Sequence, residues 1–203
     1  MTAVDQRTRI LDAAIGLMAD QGARGMSMRG LAAACELNVA TLYHYFPSKQ
    51  DLFRAAIAHG RHDALLQNPF PEGLAGDPLA RLTALLDHVF SEISETNDLW
   101  RVLITEYLHD DPDVAVPLLE MSAAFEDALR RWLVDLLPEI PALHDTGMVR
   151  ALRLAMYGVL VEHLPNPPDV RDAMFAERAR DIAHAFVRLT AAVSGSASHQ
   201  EVR

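Results

Sequence analysis

At 203 residues, half of them apolar, the chain is long enough to bury a sizeable core as one large domain or two smaller ones. No uncharged run approaches the roughly 20 apolar residues a membrane helix needs, the opening MTAVDQRTR lacks the apolar stretch of a signal peptide, and one cysteine, Cys35, excludes an internal disulfide, so a cytoplasmic protein is expected. The formal net charge of −10 disfavours a nucleic-acid partner on average, but residues 1–60 carry six basic against five acidic side chains while the remainder carries 12 against 23.

Taken in order, every periodic segment reads as helix. Ile10, Ala13, Ala14, Leu17 and Met18 place one apolar face on a helix over 6–20, which Gly22 and Gly25 stop. Ser27 is the expected N-cap of a helix over 28–34 and Asn38 that of a helix over 39–45, after a break at 35–37. Pro47 closes the third helix, and Ser48 caps a fourth running to about Leu66. The stretch QNPFPEGLAGDP is the clearest linker, with three prolines and two glycines. Beyond it the spacing predicts helices over 78–95, 98–109, 113–137 (which Pro117 starts or kinks), 146–164 and 169–193, then a small, polar, flexible tail over 194–203.

Two short helices at 28–34 and 39–45, joined by a tight turn, have the geometry of a helix-turn-helix. Leu31, Ala32, Leu37 and Leu42 are the apolar positions that lock the pair against the first helix, and Ala33 and Ala34 keep the crossing close. Glycine commonly occupies such a turn, and Glu36 here predicts a looser one. The run MSMRGLAAACELNVATLYHYFPSKQDLF resembles the signature of the tetracycline-repressor (TetR) family, with Thr41, Leu42, Tyr43, Tyr45, Phe46, Lys49 and Leu52 in register. The resemblance covers roughly residues 5–57; beyond it the chain matches only in length and helical character.

Each matched residue has a physical task. Val39, Ala40 and Thr41 begin the helix whose N-terminal end meets base edges in a major groove, and Thr41 adds a hydroxyl for a phosphate or base. Tyr43 and His44 face outward as phosphate donors, while Tyr45 either joins them or packs inward. Lys49 adds its charge to the N-terminal dipole of the fourth helix. Arg29, in the first turn of the second helix, is placed to reach a guanine or phosphate, and Ser27, Met28 and Asn38 are expected to contact DNA with it. Phe46, Leu52 and Phe53 read as core.

The resemblance implies that the domain after the fourth helix binds an effector and dimerises through its last two long helices. The faces Leu152, Met156, Val159, Leu160 and Ile182, Phe186, Leu189, Val193 suit that interface, although the chain's own core can equally take them. Candidate effector contacts are the apolar or aromatic Phe90, Trp100, Leu103, Tyr107, Met121, Phe125 and Met156, with the polar interruptions His88, Glu106 and His163. His59 with His62, and His109 with Asp110 and Asp111, make no closed metal set; a P-loop, a dinucleotide turn and a nucleophile elbow are all lacking, so neither metal, cofactor nor enzyme is expected.

The expected architecture is all-α, with about nine helices. A three-helix DNA-binding domain spans 1–48, a connecting helix 49–66 and a ligand-binding and dimerisation domain 67–193. The implied function is a homodimeric repressor of a near-palindromic operator, released by a small, largely apolar effector. Alternatives are a regulator that works without an effector and a helical small-molecule-binding protein.

Overall fold

A computed structural model describes residues 3–59, 66, 74–95, 100, 112–163 and 166–200. Among them are eight α-helices and one 3₁₀ turn, with no strand: α1 (Ala3–Gly25), α2 (Met28–Ala34), α3 (Val39–Tyr45), α4 (Lys49–His59), α5 (Pro78–Glu95), α6 (Pro112–Leu136), the 3₁₀ turn Pro141–His144, α7 (Thr146–His163) and α8 (Pro168–Gln200). All but Trp100 of the helix expected over 98–109 lies outside the described residues.

The chain forms two compact units. The first comprises 1–64 and 96–123. There α1 packs on α2 and α4, and α2 packs on α3. Its core is the stripe Ile10, Leu11, Ala14 and Met18 of α1, met by Leu31 and Ala32, by Leu42, and by Phe46, Leu52, Phe53 and Ala56. Gly22 interrupts α1 at φ 72°, ψ 160°, a conformation that only glycine enters without strain, so the expected stop is real although a last helical turn follows it. The guanidinium of Arg7 lies 5.2 Å from the Phe46 ring centroid and covers the end of α3.

Glu36 does not loosen the turn between α2 and α3. It adopts φ 56° itself. Its N–H donates to the Ala33 carbonyl (3.1 Å) and that of Leu37 to the Ala32 carbonyl (2.8 Å), the paired closure that a glycine ordinarily makes. Glu36→Gly should therefore relieve left-handed strain at little cost in fit. Allowing for glycine's greater unfolded-state entropy, we expect a gain of about 0.5 kcal/mol, read by calorimetry as a rise of about 1–2 °C in Tm.

The second unit comprises 65–95 and 124–203. Here α8 packs chiefly on α5 and also on α7, with the 3₁₀ turn against both α7 and α8. Leu82, Leu85, Leu86, Val89, Phe90 and Ile93 bury one face of α5. Arg81 reaches from α5 to cap α6, donating to the Leu136 carbonyl and pairing with Glu139. Asp77 and Asp145 cap α5 and α7 through Ala80 N (2.8 Å) and Gly147 N (2.9 Å). Helix α6 begins at Pro112, so Pro117 lies inside it rather than starting it. Helix α8 continues to Gln200, through most of the segment expected to be a flexible tail. Nothing in SGSASHQ forbids helix: it holds no proline, and one glycine costs an established helix only about 1 kcal/mol.

Candidate nucleic-acid interface

The reading segment is built by local capping. Ser27 Oγ accepts from Gly30 N (3.0 Å) and starts α2. Asn38 Oδ1 accepts from both Thr41 N (2.7 Å) and Thr41 Oγ1 (2.9 Å) and starts α3. Leu42 is the one fully buried side chain of α3, so the cap and this leucine together set which residues turn outward. Arg29, Ala40, Tyr43 and His44 are exposed with Ser27 and Asn38, and Val39, Thr41, Tyr45 and Lys49 are half-buried. His44 and Tyr45 meet edge to face at 6.0 Å.

Three expectations change. Met28 is buried, because the first helical position after Ser27 points into the core and not toward a groove. Thr41 spends its hydroxyl hydrogen on Asn38, so it offers a groove its methyl and lone pairs but no donor for a phosphate. Ala33 and Ala34 are exposed, and Ala32 instead makes the close crossing.

The cap yields a paired test. Asn38→Ala removes both hydrogen bonds and should cost about 1 kcal/mol in chemical denaturation. Asn38→Asp keeps the acceptor, so stability should hold while DNA binding falls, because a carboxylate at the groove-facing end of α3 repels phosphate. Equal loss of stability in both variants would count against the cap.

Behind α3, Ser48 caps α4: Asp51 N donates to Ser48 Oγ (3.0 Å), whose hydroxyl donates to Asp51 Oδ2 (2.7 Å). Asp51 accepts from Arg54 Nη1 (3.3 Å), and Arg54 forks onto Glu120 of α6 through Nε (2.7 Å) and Nη2 (3.0 Å). These hydrogen bonds hold the Glu120 carboxyl below its usual range and push Arg54 up. The pair is exposed and fixes orientation rather than adding much stability. His59, considered above as a metal ligand, sits 2.8 Å from Asp12 of α1.

The residues assigned to an effector or a partner helix fall differently. Leu103, Glu106 and Tyr107 lie outside the described residues, and His88 is half-buried. Phe90, Trp100, Met121, Phe125, Met156 and His163 are buried. Phe90 and His163 are linked through Phe175, which stacks on the former and meets the latter edge-on. Leu152, Met156, Val159, Leu160 and Ile182, expected at a dimer interface, are buried within the chain itself. Phe186 is half-buried, Leu189 is exposed, and the side chain of Val193 is outside the described set. The outward face of α7 instead carries Ala151, Leu154, Gly158 and Val161.

The family model for bacterial regulatory proteins of the tetR family matches residues 10–56. The HTH-type transcriptional regulator UidR of Escherichia coli strain K12 is 30% identical over 183 residues, covering 86% of this chain and 89% of the relative. The HTH-type transcriptional repressor KstR of Rhodococcus jostii is 27% identical over 136 residues, covering 66% of this chain and 62% of that protein's length. Among solved structures, Salmonella enterica GusR superposes with a TM-score of 0.70 at 26% identity, covering 93% and 98% of the two chains.

Proposed function

The chain belongs to the tetR family of bacterial regulatory proteins and is a transcriptional regulator, and from this premise we propose that it is a repressor that grips a near-palindromic operator as a homodimer and is released by a small effector. The observation that carries the reading is the rigidly capped α3, pinned by Leu42, with Ala40, Tyr43 and His44 outward. Two such helices held about 34–36 Å apart enter successive major grooves on one side of the duplex. Arg29 and the start of α3 meet base edges, while Tyr43, His44 and Lys49 take phosphates. Repression agrees with the name of KstR. No helix among the described residues is long and apolar enough to cross a membrane, and action on cytoplasmic DNA is part of the same proposal.

Release requires the effector to favour the DNA-incompetent state; equal affinity for both states shifts nothing. The Arg54–Glu120 fork ties α4 to α6, so that a displacement of α6 is passed to the helix that follows the reading segment. Selection of bound fragments from genomic DNA, followed by mobility shifts at stated salt, tests the proposal. Enrichment of a near-palindrome with half-sites one helical turn apart is expected, and fragments without a shared site would sink it.

A further inference from the structure

The buried charge-bearing groups of this acidic chain are one-sided. Among the described residues the core holds Arg171 and His163, 3% and 1% exposed, and no carboxylate; Cys35 is the only other buried group that titrates. Both bases border Phe175. Arg171 lies one turn before it on the same face of α8. His163, the last residue of α7, meets it edge-on with centroids 6.4 Å apart. Phe175 stacks on Phe90 of α5 at 4.9 Å and 18°. One turn beyond Phe90, Ser94 Oγ accepts from Arg171 Nε at 3.0 Å. All five residues belong to the second unit.

Arg171 is hydrogen-bonded, but only to neutral groups: Nε donates to Ser94 Oγ and Nη2 to the Ser94 carbonyl (3.5 Å). Asp172 lies 3.8 Å from Arg171 Nε, but its carboxylate is 62% exposed and accepts from the Ser94 hydroxyl. The two ring nitrogens of His163 have no hydrogen-bond partner. Glu162 Oε2 comes within 3.4 Å of Nε2 but out of hydrogen-bonding line, on a side chain that is 63% exposed. A buried polar atom without a partner keeps its whole desolvation penalty. An ordered water at each ring nitrogen would satisfy the imidazole, but the buried Arg171 charge would still face only the exposed Asp172 carboxylate.

We infer that His163, Arg171 and the Phe90–Phe175 stack recognise a small organic monocarboxylate with an apolar body. The His163 N–H donates to a carboxylate oxygen, the Arg171 guanidinium balances its charge, and the phenyl rings take the apolar part. This rests on the effector-responsive reading above and gives the effector a chemical class.

Calorimetry on the full chain with phenylacetate and octanoate, against phenylacetamide and octanamide, decides it. The acids should bind at least about tenfold more tightly than their amides. The ring ¹⁵N resonances of His163 should shift at saturation, and His163→Phe and Arg171→Met should each abolish the preference. Equal affinity for acid and amide, no binding at millimolar concentration, or undiminished acid binding by His163→Phe would overturn it. Because the acid–amide comparison uses the unaltered chain, a variant that fails to fold leaves the result decisive. Acids that bind at His163 yet leave operator affinity unchanged would uphold the site and sink effector release. Amides that bind alone and release the operator would do the reverse.

Discussion

Alanine at both Tyr43 and Lys49 should weaken operator binding about a hundredfold or more at fixed salt while leaving the fold intact. Tyr43 is 45% exposed on α3, and Lys49 stands in the first turn of α4, where its charge adds to the helix dipole. A homodimer loses each contact twice. Four hydrogen bonds to charged phosphates, two from Tyr43 and two from Lys49, at about 1.5 kcal/mol or more each, together exceed the roughly 2.8 kcal/mol that a hundredfold represents. Salt dependence separates the two residues. Loss of Lys49 from both subunits should flatten the slope of log K against log salt by about 1.8, whereas Tyr43→Phe should lower affinity at unchanged slope. Arg29→Ala should instead relax sequence preference, because a guanidinium on a base edge discriminates where a phosphate contact does not. Circular dichroism guards against a trivial loss of structure. Undiminished affinity in the double variant would remove α3 as the reading helix.

What could be read before the structure was local. The caps at Ser27, Asn38 and Ser48 act within three residues, and each forms where its residue type and spacing place it. Helix periodicity located Leu31, Leu42, Leu52 and Phe53 in the core for the same reason. Short helices were less forgiving. At seven residues α2 spans barely two turns, and an offset of one position, about 100° around the axis, exchanges Met28 between groove and core. The deeper misreading concerns partners. Helix α7 is apolar on two sides, and sequence ranks them by bulk, so Leu152, Met156 and Val159 looked like the outer face although the chain buries them itself. Charges mislead similarly. Extending the stripe Ile182–Ala179 back by four residues reaches Phe175, and by four more Arg171, a charged side chain that is buried although apolar periodicity gives it no place in the stripe.

That exchange of faces makes the dimer sharply testable. Among the described residues, four of the eight large apolar side chains left exposed lie on the last two helices: Leu154 and Val161 on α7, Val170 and Leu189 on α8. Between Leu154 and Val161, a Cβ added to Gly158 would meet nothing of this chain within 4 Å, so the chain's own packing makes no demand for glycine there. Ala151 and Gly158 are small enough for a second helix to approach closely. The proposed interface is therefore the outward face of α7 with the adjoining face of α8, made self-complementary by a two-fold axis. Leu154→Glu with Val161→Glu should convert the dimer into a 22.4 kDa monomer by light scattering, since the axis sets four carboxylates into one apolar seam. Folding stability should change by no more than about 0.5 kcal/mol, because both residues are exposed in the isolated chain. Operator affinity should fall by about a thousandfold or more, as one half-site alone approaches the non-specific level. Met156→Glu supplies the contrast. It buries a carboxylate in the chain's own core, where Met156 is 2% exposed, and should unfold the second unit instead of merely splitting a dimer. A Leu154→Glu, Val161→Glu variant that remained dimeric would move the interface off α7 and leave its apolar outer face unexplained.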